Sequence, residues 1–299
     1  MTTTIQEVFN GSLRENVPLA AYTSARIGGP ADYLIEVRSA SQLADTIKRC
    51  WEHDLEFFVL GGGSNILVSD RGIRGLVILN RAKSVKFEYD PAVLVRAESG
   101  AVLSNLAHRT GSLGLSGLEW AAAVPGTVGG AVFGNAGAFG GDMAGSLVRA
   151  EILSRDQRRW WNLGELRYGY RTSALKQANT AAVILSAELH LTKASKEEIE
   201  ASMSLIMSKR RASQPPGASM GSMFKNPPGD YAGRLIESCG LKGTRIGTAE
   251  ISPVHANFFL NTGDTRAADI KQLIELVQKT VLDQTDVNLE LEVELVGEW

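Results

Sequence analysis

The chain has 299 residues, with 31 basic and 33 acidic side chains and a formal net charge of -2, which removes the bulk electrostatic pull expected of a polyanion binder. A content of 44% hydrophobic and 21% charged residues, with 9 prolines, excludes disordered and fibrous classes, and the length suggests two or three packed units, with one large α/β domain as the alternative. In chain order, Tyr33 to Val37 reads as a strand, and Ser39 or Ser41 caps a helix with Leu43, Ile47, Cys50 and Trp51 on one face. Phe57 to Leu60 is a second strand, ending abruptly in Gly61, Gly62, Gly63, Ser64 and Asn65. Short strands follow at Ile66 to Val68, Leu76 to Leu79, Val85 to Tyr89 and Leu94 to Ala97, and Leu103 to Arg109 is a short helix. After a glycine-rich stretch, Ala150 to Leu153 and Val183 to Leu191 are strands and Lys196 to Arg211 a helix. Pro215, Pro216 and Gly217 then break the pattern, placing a boundary between 195 and 217. Tyr231 to Cys239 is helical with Gly240 as its stop, Ala267 to Asp283 sets Ile270, Leu273, Ile274, Val277 and Val281 on one face, and Asn288 to Val296 closes the chain as a strand. The composite is α+β.

Trp120 to Gly141 runs 22 residues without a charge, long enough for a bilayer, where ~20 apolar residues suffice. Its seven glycines, with Pro125, Thr127 and Asn135, argue instead for a buried loop and a helix start. Cys50 and Cys239 are too few for a disulfide framework and too far apart for a metal knuckle, which fits a reducing cytoplasm. The segment from Met1 to Gly29 has no secretory pattern, so the expected location is cytoplasmic. His53, His108, His190 and His255 lack zinc-ligand spacing, and no metal site is expected.

The 31 glycines, about 10% of the chain against a usual ~7%, are clustered rather than evenly spread, and two clusters stand out. Gly61 to Asn65 is either a tight turn or a nest of amides for a pyrophosphate. No Walker lysine and no Gly-x-Gly-x-x-Gly fingerprint accompany it, which weakens kinase, GTPase and ordinary Rossmann readings. In Pro125, Gly126, Thr127, Val128, Gly129 and Gly130, the proline is placed to begin a helix whose first turn stays open to a ligand, with dense small-residue packing as the alternative. Asn135, Ala136 and Gly137 follow closely. Two such clusters without a lysine favour a dinucleotide with a large flat ring.

Three chemistry-bearing positions are bland taken singly. Arg171 in Tyr168-Gly169-Tyr170-Arg171 reads as a surface arginine near aromatic rings, and Ser222 in Gly221-Ser222-Met223-Phe224-Lys225-Asn226-Pro227 as a turn serine. Glu290, Glu292 and Glu294 alternate with apolar residues, so a regular strand places all three on one solvent-facing stripe and singles out none.

Read in order, "ARIGGPAD", "LGGGSNILVSD", "GLEWAAAVPGTVGGAVFGNAGAFG", "YGYRTS", "GSMFKNP", "HANFFLN" and "LEVELVG" resemble the UDP-N-acetylenolpyruvoylglucosamine reductase family along nearly the whole chain. The resemblance implies a vanillyl-alcohol-oxidase-like (PCMH-type) FAD-binding fold of two α+β subdomains, at 1–80 and 81–200, with a C-terminal α+β substrate-binding domain at 201–299. It implies that Gly61, Gly62, Gly63, Ser64, Asn65, Pro125, Gly126, Thr127, Gly129, Gly130, Asn135, Ala136 and Gly137 bind FAD. NADPH would reduce that FAD and then give way to UDP-N-acetylglucosamine enolpyruvate, whose double bond takes a hydride in peptidoglycan precursor synthesis. Arg171 would stabilise the resulting enolate, Ser222 would protonate the carbon, and Glu292 would assist. Tyr170, Lys225, Asn226 and Asn257 would face the sugar nucleotide or NADPH. The 50 residues between Arg171 and Ser222 match the shorter subclass, which lacks a tyrosine-bearing loop. No nucleic acid, membrane or obligate protein partner is implied. An FAD-dependent sugar or alcohol oxidase of the same fold, distinguished by oxygen-driven turnover without NADPH, and a non-catalytic nucleotide-binding protein are the competing readings.

Overall fold

The computed structural model describes residues 4–178 and 181–299. The chain forms two compact units that are not continuous in sequence. The first comprises the residues up to Leu13, Ile35–Gly62 and Ile78–Arg210; the second comprises Arg14–Leu34, Gly63–Val77 and Arg211–Trp299. Two of these changes of unit fall inside the strands Pro30–Val37 and Ile73–Asn80. The last, after Arg210, lies within the proline-bounded stretch that marks a boundary in the sequence.

In the first unit a five-stranded antiparallel sheet runs in the order Arg158–Asn162, Leu147–Leu153, Val183–His190, Leu94–Glu98 and Val85–Glu88. Val95, Ala97, Ala150, Ile152 and Leu189 supply its buried positions and pack in one core with Leu106, Val128 and Val132. The helix Ala40–Glu52 begins where Ser39 accepts from the Gln42 amide, and Leu43, Ile47 and Cys50 bury its apolar face. Burial raises the Cys50 thiol to about 11. The helix Leu103–Ser112 extends three residues past its expected end.

Glu151 is also buried in this sheet. Its carboxylate accepts from Arg96 at 2.9 Å, Arg158 at 2.8 Å and Ser186 at 2.8 Å. Arg149 makes a two-pronged pair with Glu188, at 2.6 and 3.2 Å, and Arg96 and Arg149 both lie over the Trp160 ring. The strand Arg158–Asn162 is invisible to hydrophobic periodicity because it carries two arginines and two tryptophans without alternation: Arg158 pairs with Glu151, and Trp160 lies under Arg96 and Arg149.

In the second unit, Arg14–Pro18 pairs antiparallel with the start of Pro30–Val37, and Arg245–Ile246, Ala249–Ile251 and Phe259–Asn261 form a small sheet. The helix Ala267–Thr285 buries Ile270, Leu273, Ile274, Val277 and Val281, the whole expected stripe. Its start is fixed from far away in sequence: the Asp70 carboxylate accepts from the amides of Ala267 at 2.7 Å and Ala268 at 2.9 Å. The helix Ala232–Ser238 stops before Gly240, whose φ of 72° suits glycine. Among the described residues, no helix is long and apolar enough to cross a membrane.

Two expectations need correction. Pro125 does not begin a helix: the helix is Val128–Gly134, and Thr127 caps it by accepting from the Gly130 amide at 3.4 Å. Nor is Asn288 to Val296 one regular strand. Only Glu294–Val296 is strand, parallel to Ile66–Val68, and Leu291 makes a single bridge to Phe224. Between them the amides of Glu292 and Val293 both point at the Met223 carbonyl, at 2.9 and 3.5 Å. Two residues facing one is a β-bulge, and it breaks the period of two that would align the three glutamates.

Candidate active site

The first unit brings the two glycine clusters together across more than sixty positions of sequence. A Cβ on Gly61 would lie 2.6 Å from the Thr127 hydroxyl, and one on Gly62 would lie 2.9 Å from the Gly126 Cα. The backbones touch because neither position carries a side chain. Gly129 is held likewise, its amide donating to the Ser99 carbonyl at 2.8 Å. Gly130 differs: it is exposed, and a Cβ there would meet nothing of the chain nearer than 3.7 Å. Packing therefore explains Gly61, Gly62 and Gly129 and leaves Gly130 with open space in front of it, as a ligand cradle requires. Arg210 donates to the Ala123 carbonyl just before this loop, and Pro125 is an exposed loop residue.

The helix Val128–Gly134 ends at Asn135, which caps it in the left-handed region at φ 45°. Ala136 donates to Ala131 and accepts from Met143, each at 2.9 Å, and Gly137 pairs with Asp142 in a two-residue ladder. The Asn135 side chain does not reach outward. Its Nδ2 donates to the Gly169 carbonyl at 3.0 Å, and its Oδ1 accepts from the Ala144 amide at 3.0 Å.

Gly169 opens the turn that carries Arg171. Gly169 and Thr172 exchange backbone hydrogen bonds at 3.1 and 3.3 Å, leaving Tyr170 and Arg171 at the tip. Arg171 has φ 57°, a conformation normally given to glycine or asparagine at the third turn position. Its guanidinium lies 5.4 Å from the centre of the exposed Tyr170 ring. Asn135, Gly137, Tyr168, Tyr170 and Arg171 all line one cavity of about 500 Å³ within this unit.

Ser222 and Glu292 lie in the second unit, where a different frame holds them. Ser222 is half-buried and bridges Phe258, while Met223 and Phe224 beside it are buried. Asn257 is 3% exposed, and both ends of its amide bind the Phe224 backbone: Oδ1 accepts from the amide at 2.9 Å and Nδ2 donates to the carbonyl at 2.8 Å. Met223 donates to the Asn257 carbonyl at 2.8 Å, and its own carbonyl takes the bulged amides of Glu292 and Val293. Asn65 brackets that bulge, its Nδ2 donating to the Glu292 carbonyl at 3.0 Å and its carbonyl accepting from Glu294 at 3.0 Å. Gly63 packs against Tyr22 and Thr23 at φ 57°, with Ser64 half-buried beside it. Lys225 pairs with Glu290 at 3.1 Å, and Asn226 accepts from the Ala232 amide at the start of a helix.

Two family models match: the C-terminal domain of UDP-N-acetylenolpyruvoylglucosamine reductase over residues 213–296 and the FAD binding domain over residues 31–156. A Chloroflexus aggregans protein named UDP-N-acetylenolpyruvoylglucosamine reductase is 42% identical over 290 residues, 95% of this chain and 98% of its own length. One from Rubrobacter xylanophilus is 43% identical over 295 residues, 99% of this chain and 98% of its own length. The chain belongs to the UDP-N-acetylenolpyruvoylglucosamine reductase family. The crystal structure of the UDP-N-acetylenolpyruvylglucosamine reductase from Thermus caldophilus superposes with a TM-score of 0.82 at 36% identity, covering 95% of this chain and 99% of that one. The α+β, FAD-binding fold expected of a member of this reductase family is the fold observed.

Within that family setting, Asn257, expected to face a sugar nucleotide, has each end of its amide on the Phe224 backbone. Glu292 stands apart from its neighbours: Glu290 is exposed and paired with Lys225, whereas Glu292 sits in the bulge. Tyr168 and Ser173, on either side of the Arg171 turn, escape the sequence reading. Tyr168 donates to the Val132 carbonyl at 2.9 Å and Ser173 to the Phe133 carbonyl at 2.6 Å. Burial, reinforced by the charge of Asp142, raises the Tyr168 phenol well above its ordinary range, which keeps it a donor. The one signal in the sequence is a hydroxyl on each flank of Gly-Tyr-Arg-Thr.

Proposed function

We propose that this chain is an NADPH-dependent flavoenzyme that reduces the enolpyruvyl double bond of UDP-N-acetylglucosamine enolpyruvate, giving UDP-N-acetylmuramate for peptidoglycan synthesis. One observation carries the reading: a guanidinium is placed, at a cost in backbone strain, on the wall of a cavity of about 500 Å³. Membership of the reductase family supplies the substrate class. Bound FAD supplies the hydride chemistry, with NADPH as the electron source.

Hydride addition at the terminal vinyl carbon leaves negative charge on the neighbouring carbon and its carboxylate. Arg171 stabilises that charge from a turn set before the substrate arrives, so little reorganisation is needed. The Ser222 hydroxyl then gives its proton to the carbon, completing addition of one hydride and one proton across the double bond. A serine is a weak acid, and Glu292 assists it in handling charge and proton. The FAD pyrophosphate would lie over the open face at Gly130, on a loop that the close contacts of Gly61, Gly62 and Gly129 with Thr127, Gly126 and Ser99 hold in place. Lys225 serves a diphosphate and Tyr170 the substrate. In this reading 1–80 and 81–200 are the FAD-binding subdomains and 201–299 the substrate-binding domain, in a cytoplasmic enzyme without a nucleic acid, membrane or obligate protein partner.

The test is anaerobic stopped-flow absorbance: the flavin is reduced with NADPH, and UDP-N-acetylglucosamine enolpyruvate is then added. Rapid return of the oxidised spectrum is expected. In Ser222→Ala, reduction by NADPH stays near the wild-type rate while reoxidation slows by about 10²–10⁴. Reduced flavin that reoxidises only when air is admitted would sink the substrate assignment and favour an oxidase.

A further inference from the structure

The end of the glycine-rich helix and the Arg171 turn are tied together by three side chains. Tyr168 and Ser173 bind the carbonyls of Val132 and Phe133, two of the last four in the helix, which have no partner inside it. Asn135 reaches from the helix cap to the Gly169 carbonyl. Left-handed backbone at an arginine persists only where its surroundings over-determine it, and the two mutual bonds of Gly169 and Thr172 close the turn without anchoring it to the core.

The geometry points to Asn135 as a positioning residue that sets Arg171 for charge stabilisation, acting through the Gly169 carbonyl and not by touching the cofactor. The inference rests on the reading of Arg171 given above. Asn135 is 5% exposed, and each end of its amide is engaged within the chain. At φ 45° only glycine, asparagine and aspartate sit comfortably. Of these, asparagine alone both donates to Gly169 and accepts from Ala144. Glycine would keep the backbone and free the Gly169 carbonyl from the helix cap, leaving the ties of Tyr168 and Ser173 on either side. Aspartate would keep the Ala144 bond and set oxygen against the Gly169 carbonyl.

The experiment uses full-length, FAD-loaded protein carrying Asn135→Gly, with Asn135→Asp measured in the same way should the glycine variant not fold. Deuterium exchange at the amides of 169–172 is expected to rise about tenfold, as for one lost hydrogen bond. Flavin content and the rate of reduction by NADPH should stay within about twofold of wild type, while reoxidation by UDP-N-acetylglucosamine enolpyruvate slows by about ten- to a hundredfold. In an Arg171→Ala background, adding Asn135→Gly should change reoxidation by less than about twofold, because the residue it positions is already gone. Wild-type reoxidation in a folded, flavin-loaded variant would overturn the inference, and so would parallel loss of flavin binding or full additivity in the double variant. If Arg171→Ala alone reoxidised normally, the reading of Arg171 itself would fall, whatever Asn135 does.

Discussion

The turn that carries Arg171 and the segment that carries Ser222 are each held by a buried asparagine, yet their backbones differ. Arg171 occupies a left-handed position on a two-residue turn, anchored to the end of a helix by Asn135, Tyr168 and Ser173. Ser222 lies in extended backbone, bridged to Phe258 and followed by two buried residues that Asn257 pins in place. A long, mobile guanidinium has many rotamers, and strain in the backbone is one way to aim it. A hydroxyl on a short side chain goes where its backbone goes, so a rigid, unstrained frame suffices.

The largest effect that would break this comparison is at Arg171. Arg171→Gly should slow flavin reoxidation by about 10²–10³, as for loss of a preorganised charge partner, while leaving the melting temperature equal to wild type or higher, since glycine adopts φ 57° freely. A lower melting temperature would mean that the turn is not strained. The corresponding change at the other site should do the opposite. Asn257→Leu leaves the Phe224 amide and carbonyl buried without partners and should cost about 3 kcal/mol of stability, measured by urea unfolding. A neutral result would remove the rigid frame from the argument for Ser222.

A smaller effect tests the sheet of the first unit. Burial by itself would raise the Glu151 carboxyl, but hydrogen bonds from Arg158 and Ser186 and the charges of Arg158 and Arg96 together hold it below the ordinary glutamate range. A carboxyl lowered by folding contributes stability that is present above the unfolded value and is lost as pH falls through the folded one. The melting temperature should therefore drop as pH goes below about 4.5, and Glu151→Gln should reduce that drop. At pH 7 the same variant should lose about 2 kcal/mol, read as a fall of several degrees in a thermal scan. An unchanged acid limb in Glu151→Gln would assign the acid sensitivity to other carboxylates.

Local pattern determined a good deal here. The strand Phe57–Leu60 and the stripe of the helix Ala267–Thr285 follow from apolar spacing, and the ordered motifs identify the family. Local pattern also placed Arg171, Ser222 and Glu292 as candidates through that resemblance. What it could not determine depends on partners remote in sequence. Asn65 and Glu292 are 227 positions apart, Asp70 and the helix it caps 197, and Asn257 and Phe224 33. The bulge at Glu292 and Val293 forms where the Met223 carbonyl, remote in sequence, takes two amides. The side chains of Asn65, Asn135 and Asn257 read equally well as ligand contacts or as backbone struts, because an amide carries a donor and an acceptor for either task. Only the tertiary structure, by bringing carbonyls and amides within 3 Å of them, gives all three a bracing role beside the segments on which the candidate catalytic residues stand, because the partners of each lie far from it in sequence.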